Sequence, residues 1–129
     1  MKMEVNLEQG FLFKAICNKH EVITDQPEKE GGTDKAMTPA ELFVASLGTC
    51  IGVFAVRFCK RHNLPTEGMK VSLDWAVVKD PVRIGSIRVE LHYPHQITED
   101  ERKGLLRMAD ACFVHETILH TPEISVELK

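Results

Sequence analysis

Two cysteines far apart in the sequence carry the residue chemistry that matters most here. Cys50 lies inside the apolar stretch Leu42-Phe43-Val44-Ala45-Ser46-Leu47-Gly48-Thr49-Cys50-Ile51-Gly52-Val53-Phe54-Ala55-Val56. Cys112 opens a second apolar segment, Cys112-Phe113-Val114-His115-Glu116-Thr117-Ile118-Leu119. Two thiols on predicted helices suit a redox pair: one thiolate is oxidised to sulfenic acid and the second resolves it to a disulfide. An apolar wall alone raises a thiol's pKa, so a functional Cys50 needs a nearby cation or hydrogen-bond donor. The plainer reading is that both are packed core cysteines, since buried cysteine behaves as a small hydrophobe. The residues themselves leave both readings open.

Other groups are less well placed. Cys59 falls about half a turn round the same helix from Cys50 and cannot resolve it. Cys17 lies on an early strand, and both read as fillers. Arg57 shares the face of Cys50 but sits about two turns on, too far for direct contact. Cys112-Phe113-Val114-His115 has a Cys-x-x-His spacing and His92-Tyr93-Pro94-His95 a His-x-x-His spacing. Neither has a second pair at zinc-site distance, so no metal is expected. Gly31-Gly32 lacks the strand-to-helix context of a nucleotide loop. The net charge of -3 and the scattered basic residues give no reason to expect nucleic acid.

The elements that must position these thiols follow from hydrophobic period. Met3, Val5 and Leu7 alternate with polar residues; Phe11 to Cys17 and His20 to Thr24 follow, a three-strand meander. Residues 25 to 37, with Pro27 and Gly31-Gly32, read as a mobile polar loop. Thr38-Pro39-Ala40-Glu41 is a helix start, with Thr38 as N-cap, Pro39 at the first position and Glu41 closing a capping box. That helix should reach about His62, with Gly48 and Gly52 allowing a kink or a close backbone approach. Alternation from Met69 to Trp75 and from Ile84 to Leu91 predicts a hairpin. Thr98 to Glu101 begins a second helix with another capping box, its buried stripe formed by Leu105, Leu106, Met108 and Ala109. A short helix from Cys112 to His120 and a last strand through Ile124, Val126 and Leu128 complete the order.

The order is βββ-α-ββ-αα-β, an α+β class. A chain of 129 residues fits one domain, residues 1–129. The long helix is apolar nearly all round, and a helix without a polar face must be covered on all sides. One protomer of this size would struggle to do so, which predicts an intertwined dimer with a long buried central helix. The uncharged run from Leu42 to Val56 is shorter than the about 20 residues of a bilayer span. No signal-peptide apolar region begins the sequence, so a cytoplasmic protein with free thiols is expected and no membrane partner.

Gly31-Gly32-Thr33-Asp34, Thr38-Pro39-Ala40-Glu41-Leu42 and Ala45-Ser46-Leu47-Gly48-Thr49-Cys50 together resemble the central-helix signature of the OsmC/Ohr family. Ala111-Cys112-Phe113-Val114 with Thr117-Ile118-Leu119 resembles its second cysteine region, and the resemblance covers essentially the whole chain. It implies an OsmC-like fold and an intertwined homodimer with two active sites at the subunit interface. It also implies thiol-dependent reduction of organic hydroperoxides, with Cys50 as the peroxidatic and Cys112 as the resolving cysteine. Electrons would come from a dithiol reductant, including lipoyl groups on proteins, with no further cofactor.

Two departures stand out. Ala40 occupies the position where characterised peroxidases of the family carry a glutamate, leaving Glu41 as the adjacent carboxylate to act catalytically in its stead. No arginine precedes Arg57, where the family uses one to stabilise the thiolate. Lys14 and Lys35 are the available cations, without the bidentate fork of arginine. The competing readings are a non-catalytic OsmC-like protein holding an apolar small molecule at the dimer interface, and a metal-binding module through Cys112 and His115.

Overall fold

In the computed structural model, which describes residues 1–129, the chain forms two compact units, residues 1–45 and 46–129. The first opens with an antiparallel meander of β1 (Glu4–Gln9), β2 (Leu12–Cys17) and β3 (His20–Thr24). Valine, isoleucine and phenylalanine in alternation favour this pleated form. Val5 pairs with Ala15 and Ala15 with Val22, and Leu7 pairs with Phe13, so Val5, Leu7, Phe13, Ala15 and Val22 share one face. That face is open: Val5 and Leu7 are 58% and 60% exposed.

The segment after β3, expected to be mobile, is instead an ordered loop built round Asp25. This carboxylate, only 1% exposed, accepts from the amides of Gln26 (2.8 Å), Thr33 (3.2 Å) and Lys35 (3.2 Å) and from the Thr33 hydroxyl (2.6 Å). These donors, the Thr33 hydroxyl foremost, hold its pKa down at about 2 against an ordinary 3.8. A short 3-10 turn, Glu28–Glu30, fills the loop, and the Asp25 amide donates to the Met37 carbonyl at 3.2 Å. Gly32 is required here because a Cβ would run into the Gln26 carbonyl.

Helix α1 (Pro39–Arg61) begins in the first unit and continues into the second. Its start is the expected capping box: the Thr38 amide donates to Glu41 Oε2 at 3.0 Å and the Glu41 amide to Thr38 Oγ1 at 3.2 Å. In the second unit β4 (Lys70–Val78) and β5 (Arg83–His92) form an antiparallel hairpin. Helix α2 (Glu99–Asp110) starts at the Thr98–Glu101 capping box, and α3 (Phe113–Leu119) follows. Leu47 and Ile51 of α1 pack with Ala109 and Cys112, against Val71, Leu73, Ile87, Val89 and Leu91 of the hairpin. Gly48 lets the helix lie close on β4, since a Cβ there would stand 2.6 Å from Leu73 Cδ1. A second cluster joins Ala55, Phe58 and Cys59 to Leu105.

Two further sequence expectations change. The last strand is not formed: residues 120–129 have no strand partner, and Ile124, Val126 and Leu128 are 82%, 91% and 102% exposed. Alternation supplies a face, but a strand also needs a ladder edge, and none receives this segment within the chain. Leu106 leaves the α2 stripe and is exposed, whereas Leu105, Met108 and Ala109 turn toward the core. Burial of α1 is one-sided within a protomer: Val44, Leu47, Ile51 and Ala55 are covered while Phe43 and Val53 are exposed. By length and composition alone α1 could cross a membrane, yet here its stripe packs on a sheet.

Two outcomes are expected. Because the folded pKa of Asp25 lies below the unfolded one, its contribution is complete above about pH 4 and lost as pH falls toward about 2. Urea midpoints measured down this range should fall steeply for the natural protein and flatten for Asp25→Asn. Gly32→Ala should lower stability by roughly 2 kcal/mol or more, since the obstacle is backbone rather than a movable side chain.

Candidate active site

Cys50 sits mid-helix on α1, and Cys112 is the N-cap of α3. The core that joins the two helices places both thiols in one apolar cluster, near enough that Cys50 raises the Cys112 pKa, and neither is bridged. Cys112 is fully buried and Cys50 partly exposed, so solvent reaches the pair from the Cys50 side.

The first turn of α3 serves both sulfurs. The Val114 amide donates to Cys50 Sγ at 3.5 Å and the His115 amide to Cys112 Sγ at 3.4 Å. These amides have no intrahelical acceptor, so sulfur takes the place of a capping oxygen. Hydrogen bonds to a thiolate favour its charged form. Burial nevertheless dominates at Cys112 and pushes its pKa above the ordinary 9.0, with the His115 amide opposing and the neighbouring Cys50 adding to the rise. The cluster that holds them is apolar, with Phe54, Leu73, Val114 and Ile118 packed against it.

The remaining candidates have other tasks. The Glu41 carboxylate is engaged in its capping box. Lys14 pairs with Glu8 and Glu21 at 3.7 and 3.8 Å. The Arg57 guanidinium lies 4.9 Å above the Phe54 ring, a cation–π contact. Cys59 is a buried core thiol whose pKa burial raises. His115 turns Nδ1 to the Asp110 carbonyl (2.7 Å) and carboxylate (3.4 Å). His92 meets Glu90 while His95 meets the Glu67 carbonyl, so their spacing does not converge. No group of three histidine, cysteine or acidic side chains gathers to hold a metal. Sequence reasoning overlooked Asp25 and the α3 amides. Asp25 had a usable signal, an aspartate before a Gly-Gly-Thr turn, since such side chains bond nearby backbone. Backbone amides leave no mark in residue identity.

The family model for OsmC-like proteins matches residues 32–127. The chain belongs to the OsmC-like protein family. Among solved structures, a candidate osmotic stress induced and detoxification response protein from Psychrobacter arcticus 273-4 superposes with a TM-score of 0.83 at 19% identity, covering 91% of this chain and 87% of that one. The OsmC-like protein of Mycoplasma pneumoniae gives 0.74 at 16% identity, covering 93% and 87%. An organic hydroperoxide resistance protein, OsmC, from Legionella pneumophila gives 0.68 at 15%, covering 91% and 87%. At these identities the likeness establishes the shared mixed α+β fold. A search of curated proteins finds no match.

The burial difference makes a direct prediction. At neutral pH iodoacetamide should modify Cys50 well before Cys112, and the gap should narrow as pH rises toward the elevated Cys112 pKa. Peptide mass mapping of partly alkylated protein at several pH values checks this. Equal rates at neutral pH would contradict the assignment.

Proposed function

We propose that this OsmC-like protein reduces organic hydroperoxides with its two thiols. The observation that carries the reading is the pairing of Cys50 and Cys112 beneath the first turn of α3, with an amide donated to each sulfur. The Cys50 thiolate attacks the outer oxygen of ROOH. The O–O bond breaks, the alkoxide leaves and takes a proton as ROH, and Cys50 becomes a sulfenic acid. The Cys112 sulfur then displaces hydroxide, which leaves as water with the Cys112 proton, and the Cys50–Cys112 disulfide forms. A dithiol such as a protein-bound lipoyl group reduces that disulfide by exchange and is itself oxidised to a disulfide. The apolar walls favour a bulky organic peroxide, and the fully buried Cys112 meets Cys50 rather than bulk solvent.

We further infer that the working form is a homodimer in the cytoplasm. The open face of β1, the exposed Val53 side of α1 and the unpaired Ile124–Leu128 segment together leave more apolar surface than a lone protomer tolerates. A second reading, a non-catalytic holder of an apolar ligand, draws support from the absence of arginine before Arg57.

Mass spectrometry before and after one equivalent of cumene hydroperoxide separates the two readings. Catalysis predicts rapid loss of two protons as the bridge forms, whereas an inert thiol with a copurified apolar ligand selects the holder. Cys50→Ser should abolish peroxide consumption; Cys112→Ser should allow one turnover and then overoxidation. Glu41→Gln keeps an acceptor for the cap but removes the charge, so a loss of activity at unchanged stability would assign Glu41 a catalytic role. In analytical ultracentrifugation the protein should sediment at twice 14.6 kDa, and removal of residues 121–129 should weaken that association.

A further inference from the structure

The far end of the N-terminal sheet gathers a second set of sulfur groups that the thiol pair does not use. Cys17 ends β2 and stands directly opposite His20, the first residue of β3. The two-residue turn between them is tight, with Asn18 at φ 56. On the other side, Glu4 pairs with Ile16, so the same register sets Met3 opposite Cys17. The long 3.9 Å contact from Cys17 Sγ to the Lys2 carbonyl fits that register. Cys17 and His20 therefore face each other across β2 and β3, and Met3, one residue before β1, continues their row. Side chains opposite one another on such a row have Cβ atoms about 4.5–5.5 Å apart. Met1, Lys2, Met3, Cys17 and Asn18 line a cavity of about 350 Å³ at this corner.

We propose that this corner binds Cu(I) through the Met3 thioether, the Cys17 thiolate and the His20 imidazole. Thioether and thiolate are soft donors that select Cu(I), and imidazole suits it. A structural zinc site asks instead for four nitrogen, thiolate or carboxylate ligands, which the corner does not supply. The ligands are accessible: Met3 is 59% exposed, His20 is exposed and Cys17 is only partly covered. The Cys17 sulfur is held by nothing stronger than contacts of 3.9 Å to the Lys2 carbonyl and the Asn18 amide. Binding exchanges the Cys17 proton for the metal and moves no electron, so affinity rises with pH. The site is independent of the peroxide reading.

The test uses full-length Cys50→Ser/Cys112→Ser protein, which removes the other thiol pair as a competitor. Cu(I) is supplied without oxygen as its bicinchoninate complex. The protein should withdraw one equivalent and should lose that capacity when Cys17→Ser is added. Met3→Leu and His20→Gln should each weaken retention by about tenfold or more. These two positions are exposed, so both variants keep the fold if Cys17→Ser does not. Failure to withdraw copper, retention undiminished by Cys17→Ser, or retention unchanged in both Met3→Leu and His20→Gln would each overturn the proposal.

Discussion

The proposed chemistry depends on one constraint: the first turn of α3 must donate amides to two sulfur atoms. A short helix presents unpaired amides at its start, and here Val114 and His115 point theirs at Cys50 and Cys112. Cys112 is the N-cap and the proposed resolving group, so folding the helix and placing that thiol are the same event. Substituting an oxygen-capping residue would keep the helix and remove the resolving sulfur. The site therefore needs the packing of α1 against α2 and α3 that brings Cys50 under the same turn.

That packing rests on close approach. Gly48, just before Cys50, lets α1 settle on Leu73 of β4, and Gly104 does the same for α2 against the Phe58 ring. Small residues at contact points reduce the distance between elements, and a dense interior holds what it positions. The glycines are costly inside helices, by about 1 kcal/mol each relative to alanine. Closer packing round the thiol pair offsets that cost.

Much of this was legible before any coordinates. Thr38, Pro39 and Glu41 announce the start of α1, and Thr98 with Glu101 that of α2, because capping chemistry is local. Alternation places β1 to β5 because period reflects a half-buried face. What local pattern cannot supply is a partner: Ile124, Val126 and Leu128 read as a strand, and the chain offers them no edge. The loop round Asp25 left only a partial signal, because its donors Thr33 and Lys35 lie eight and ten residues from the acceptor. The meeting of Cys50 with Cys112 was likewise a matter of tertiary packing; the sequence allowed it without requiring it.

The absent arginine now has a physical setting. A guanidinium offers a full charge and a rigid fork of donors to a thiolate. The amides of α3 offer oriented dipoles with no net charge, a weaker inducement to ionise. They have a compensating property, because they cannot swing away and lose no rotamer freedom on binding sulfur. The two sulfurs also oppose each other electrostatically, since a thiolate at Cys50 makes ionisation of Cys112 harder. In the proposed reaction that asymmetry would keep the buried Cys112 thiol protonated while Cys50 reacts. Oxidation of Cys50 to the neutral sulfenic acid would remove the charge that opposes Cys112 and so free the second thiol to attack in the proposed second step. On the proposed mechanism, burial and mutual repulsion between the sulfurs would set the order of the two steps without a cation to impose it.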